Sequence, residues 1–85
     1  MERRILDHSI IISAWRKQDE APLTFICHEI GDTSLAVKSF CLLEKGTEFE
    51  LNLQYWDRSV KARGAVVDSR PYNGAYEGVL HYQIG

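Results

Sequence analysis

Two arginines, Arg3 and Arg4, stand at the head of the chain with a histidine, His8, shortly after them, and Asp32 and Ser34 lie well downstream in the segment Asp32-Thr33-Ser34. The planar guanidinium of arginine donates two parallel hydrogen bonds to a phosphate and offers its face for stacking on a base. An aspartate on a turn accepts hydrogen bonds, and a serine there donates, so the pair suits the edge of a base such as guanine. These side chains together have the means to hold a small anion that carries a base. Arginines beside an N-terminus are more often plain solvated surface, so the weight falls on the elements that position them.

Other chemistry is missing from the chain. Catalysis needs a nucleophile with its base, a paired acid and base, or a metal. His8, His28 and His81 are single and far apart, without metal-ligand spacing. Glu48 and Glu50 alternate with apolar residues, as solubilising side chains on a wet strand face do. The glycines are isolated, and none forms a phosphate-cradling loop. Cys27 and Cys41 lack the spacing of a metal knuckle and sit in apolar stretches, which predicts buried free thiols. Trp15, Trp56, Tyr72 and Tyr76 could stack on single-stranded nucleic acid, but such platforms come with a basic groove. Core packing and hairpin capping account for them better. The expectation is no enzyme, no catalytic residue, no metal and no cofactor.

A length of 85 residues fits one domain spanning 1–85. A net charge of −2 argues against sequence-independent DNA or RNA binding, while one local arginine cluster would still suffice for a small anion. No stretch approaches the roughly 20 apolar residues of a membrane-spanning helix, and the N-terminus does not read as a signal peptide. The chain therefore reads as cytoplasmic, in keeping with reduced thiols and without membrane insertion.

The elements that must carry these residues are strands. Phe49, Leu51, Leu53 and Tyr55 alternate with Glu48, Glu50, Asn52 and Gln54, a period of two with one wet face. Further strands are predicted over Ser9 to Trp15, Leu23 to Ile30, Ser34 to Cys41, Val60 to Asp68 and Tyr76 to Ile84. Asn73-Gly74 is a strong hairpin-turn signal, since both residues tolerate positive φ. Gly64, inside the fifth strand, marks a bulge or a close backbone approach. Ile10, Ile12, Phe25, Phe49, Leu51, Leu53, Val66 and Leu80 are the expected inward face. Short strands in this number, with turns between them, fit a sandwich or a barrel, and closure into an all-β antiparallel barrel would remove exposed edges. Residues 1–8 are expected as a flexible N-terminal arm.

In order and spacing these pieces resemble a PilZ domain, the bacterial receptor module for cyclic di-GMP. That family is a six-stranded antiparallel β-barrel with an RxxxR motif before the first strand and a (D/N)xSxxG motif downstream. Glu2-Arg3-Arg4 resembles the lead-in to the first motif, with Arg4 at its first arginine and His8 at its second. Asp32-Thr33-Ser34-Leu35-Ala36-Val37 resembles the second motif. Gly46 to Leu51, Lys61 to Val67 and Tyr76 to Val79 resemble the family's later strands.

The resemblance implies that Arg3, Arg4, His8, Asp32 and Ser34 bind the dinucleotide and that binding is signalled to a protein partner. Two residues depart from the pattern. His8 lacks the bidentate fork of the second arginine, and Val37 puts a branched side chain where a glycine would allow close ligand approach. These departures carry the alternative: an interaction adaptor of bacterial pilus, motility or biofilm regulation that binds no nucleotide.

Overall fold

The computed structural model describes residues 4–54 and 57–84, with only the backbone of residues 4–8. Arg3, Tyr55 and Trp56 lie outside the described residues. The chain forms the strands β1 (Arg4–Trp15), β2 (Leu23–Ile30), β3 (Ser34–Ser39), β4 (Glu48–Gln54), β5 (Ser59–Tyr72) and β6 (Ala75–Ile84). They close into an antiparallel barrel in the order β1-β2-β3-β6-β5-β4, with β1 completing the ring against β4. The expected all-β, six-stranded antiparallel barrel is what the chain adopts.

Alternation decides which way each side chain points. In β4, Phe49, Leu51 and Leu53 are buried, whereas Glu48, Glu50 and Gln54 are exposed. Ile12, Phe25, Val66 and Leu80 join them in the core as expected, and Ile10 packs against it half-buried. Phe25 and Phe49 meet edge to face at a centroid distance of 5.1 Å, the arrangement that aromatic quadrupoles favour. Ala14, Leu35, Val37, Leu43 and Ala62 also belong to the core.

Three expectations give way. β1 begins at Arg4 rather than Ser9, because Arg4 and Ile5 pair with Ile30 and Glu29 across a register irregularity that ends at Ile10. The backbone of residues 4–8 is therefore strand, not an arm. β3 stops at Ser39, whose hydroxyl accepts a hydrogen bond from the Cys41 amide at 3.0 Å. The chain then turns outward, so Cys41 is exposed while Cys27 is the buried thiol. β5 runs on through Arg70, Pro71 and Tyr72, leaving only Asn73-Gly74 as the turn, with φ of 48° and 79°. Gly64 marks a close approach: a Cβ there would lie 2.9 Å from Leu51 Cδ1 and 3.0 Å from the His81 carbonyl oxygen. The bulge in β5 lies between Val66 and Asp68 instead.

Both ends of the barrel are tied. At one end, Leu43 from the β3–β4 loop inserts at 2% exposure and packs beneath Gly78. Reciprocal bonds between that loop and β5 hold it there, Gly46 N–H to Val66 O at 2.7 Å and Val66 N–H to Thr47 O at 3.0 Å. At the other end, the turn between β2 and β3 is fastened to β6.

Candidate functional site

The β2–β3 turn is built by its own backbone and by one tyrosine. The Gly31 amide donates to the Ser34 carbonyl at 2.8 Å and closes the turn around Asp32 and Thr33. Tyr82 then holds it from β6: its amide donates to the Thr33 carbonyl at 2.9 Å, and its hydroxyl donates to the Gly31 carbonyl at 2.7 Å. Turn carbonyls would otherwise point to water without a fixed direction, so these bonds set the orientation of the loop. Asp32 is exposed on the crown of the turn, and Ser34 is half-buried at the start of β3. Tyr82 was missing from the sequence-derived set. A tyrosine at half-buried strand spacing reads as core, and only the tertiary pairing of β6 with β3 gives it this partner.

The first half of the candidate site meets the second through the register of β1. Arg4 pairs with Ile30, which directly precedes the turn. Its backbone thus lies beside the segment that carries Asp32 and Ser34, although the two stretches are well separated in sequence. His8 falls in the irregular segment between Ile5 and Ile10, alongside β2 between Glu29 and Cys27 and away from the crown of the turn. The register therefore joins Arg4 to the Asp32 and Ser34 turn and sets His8 apart from it. Arg3 lies outside the described residues.

Val37 does not crowd this site. Its side chain is fully buried in the core, and its Cα pairs with Cys27 on β2 and Gly78 on β6. The only non-glycine residue with positive φ among those described is Asn73, so Val37 takes ordinary strand geometry. The side chain at this position points inward, into the core.

The surface around the site is shallow. One broad depression on the β1, β4 and β5 wall is lined by Trp15, Arg16, Glu50, Lys61, Arg63 and Gln83, with charges of both signs. A smaller one crosses the sheet past His28, Glu29, Asp68, Arg70 and Glu77, where Arg70 pairs with Glu77 at 3.0 Å. Asp32 and Ser34 line neither of these two depressions. Among the described residues no group of three His, Cys, Asp or Glu side chains could hold a metal ion. No helix there is long and apolar enough to cross a membrane.

Of the aromatics, Trp15 and Tyr76 are half-buried. Tyr72 is exposed beside the β5–β6 turn, with Lys38 Nζ 5.3 Å from its ring centre, so it dresses the hairpin and is not core. Trp56 lies outside the described residues. Large apolar side chains also stand out of the β3–β4 loop, Phe40 at 81% and Leu42 at 56% exposure. That loop leaves the end of β3 opposite to Ser34. In comparisons with known proteins, no family model matches the chain and no curated protein matches it.

Proposed function

We propose that this chain is a PilZ-like receptor module for cyclic di-GMP. The ligand sits on the barrel end where the start of β1 adjoins the β2–β3 turn. The pairing of Arg4 with Ile30 supports this reading best, because it brings the arginine-bearing strand beside Asp32 and Ser34. In this reading Arg4, helped by Arg3, stacks on guanine and binds phosphate. Asp32 and Ser34 take the guanine edge, and His8 adds a weaker contact along β1. Binding alters the surface at that end, which a protein partner reads.

Calorimetric titration with cyclic di-GMP, with GTP as the control, tests it. Selective binding at micromolar concentration or below is the expected result. Arg4→Ala should cost about tenfold or more in affinity while the fold stays intact, as removal of a charge-assisted contact does. Unchanged affinity in that variant would sink the role given to Arg4, and no binding by the folded native chain would sink the receptor reading.

A second reading is favoured by the exposed Phe40 and Leu42, since apolar side chains held in water at the far end suit a protein contact. In that reading the barrel is an adaptor that binds no nucleotide. The native chain then gives no heat with cyclic di-GMP, and His8→Arg combined with Val37→Gly creates binding. Tight binding by the native chain excludes it.

A further inference from the structure

We propose that His81, on β6, is a further ligand-contacting residue of this site, donating a ring N–H to a phosphodiester oxygen beside Ser34; the proposal rests on the cyclic dinucleotide reading above. The register of β3 with β6 sets Ser34 opposite His81 and Leu35 opposite Leu80. Leu35 and Leu80 are both fully buried, so alternation turns their neighbours Ser34 and His81 to the outer face of the barrel, side by side. His81 is exposed and Ser34 half-buried, which leaves both polar groups open to one ligand. On the other flank of His81 stands Ala65, a single methyl that does not screen the ring. The strand register on that flank places Glu48 opposite Ala65 and Arg63 opposite Gln83.

The next residue along β6 is Tyr82, whose amide and hydroxyl grip the Thr33 and Gly31 carbonyls. His81 is thereby held at a fixed offset from the turn. A hydrogen-bonding group fixed in this way contributes more to affinity than one on a mobile segment, because less freedom is lost when the ligand arrives.

Charge sorts the ligand's parts. The Asp32 carboxylate on the crown repels a phosphate and accepts from a base N–H, so the base belongs at the crown. The phosphate then falls to the side where the Ser34 hydroxyl and the His81 imidazole present donors. His8, by contrast, lies down the irregular segment of β1. A second nitrogen donor for the phosphate is thus supplied by β6, and it replaces the arginine that stands at the second motif position in the PilZ pattern.

The test titrates the native chain, His81→Ala, His81→Asn and Arg4→Ala with cyclic di-GMP. A backbone amide spectrum of each confirms the fold, and the ring nitrogens of His81 are followed by NMR during the native titration. Expected are a loss of about tenfold or more in His81→Ala, partial recovery in His81→Asn, which keeps an N–H donor, and a shift of the His81 ring resonances on ligand addition. If the native chain binds and His81→Ala binds equally well, the His81 contact is overturned while the receptor reading stands. If Arg4→Ala binds normally and His81→Ala does not, the β6 contact stands and the arginine assignment falls. No binding by the folded native chain overturns both.

Discussion

Cys27 is fully buried, and its thiol donates to the Glu29 carbonyl at 3.2 Å, whereas Cys41 lies in the open on the β3–β4 loop. Burial pushes the Cys27 thiol up from 9.0 to about 11, since a thiolate there would lose its water. The unfolded chain ionises this thiol near its ordinary value while the folded chain keeps it protonated. The stability it contributes is therefore complete below pH 9 and is lost as pH rises toward about 11. Thermal melts across that range should show a falling midpoint, and Cys27→Ala should flatten the fall. In an alkylation time course read by mass spectrometry at pH 8, Cys41 should label at once and Cys27 only on unfolding. At the other extreme of pH, Asp19 receives the Arg16 amide at 2.7 Å and its guanidinium at 2.9 Å. The guanidinium and then the amide hold that carboxyl below its ordinary 3.8. Its contribution is present above that value and is lost as pH falls through the lowered one. Asp19→Asn should accordingly weaken the acid dependence of the melt.

At the level of elements, the tightest constraints come from Gly64 and Leu43. A methyl at Gly64 meets a backbone carbonyl of the neighbouring strand, which cannot swing aside as a side chain can, so Gly64→Ala should destabilise by about 1–3 kcal/mol in urea unfolding. Leu43→Ala should leave a void under Gly78 and cost about 2–5 kcal/mol. These two positions also mark how far the sequence could be read. Gly64 was legible because a glycine interrupts an otherwise regular strand. Leu43 was not, since one inward leucine in an irregular loop has no period to betray it. Alternation exposed β4 plainly, and Asn73-Gly74 gave away its turn by composition. The start of β1 was hidden because its irregular segment erases alternation between Ile5 and Ile10. Cys41 misled because Phe40, Cys41 and Leu42 are as apolar as a strand yet follow its end.

Across the whole molecule, closure depends on pairings between distant parts of the chain, such as Ile11 with Gln54 and Ser34 with His81. Long loops must be closed before those contacts form, so stopped-flow refolding should proceed in milliseconds to seconds and not microseconds. The candidate site has the same origin. Arg4, Asp32 and Ser34 were readable as residue types, but their meeting required the register of β1 on β2, and the part played by Tyr82 required β6 to lie against β3. Neither follows from local pattern.

The ring of strands also governs how the molecule breathes. Each strand has a ladder on both sides, so no strand can peel away by breaking one row of amide bonds. Openings that expose β3 or β6 must sever two rows together, which brings their free energy close to that of global unfolding. Deuterium uptake should therefore stay slow and nearly uniform where a strand is paired on both sides, as from Ile11 to Ala14 and from Leu35 to Val37. It should quicken in the β1–β2 and β3–β4 loops, at the amides that no backbone or side-chain acceptor holds.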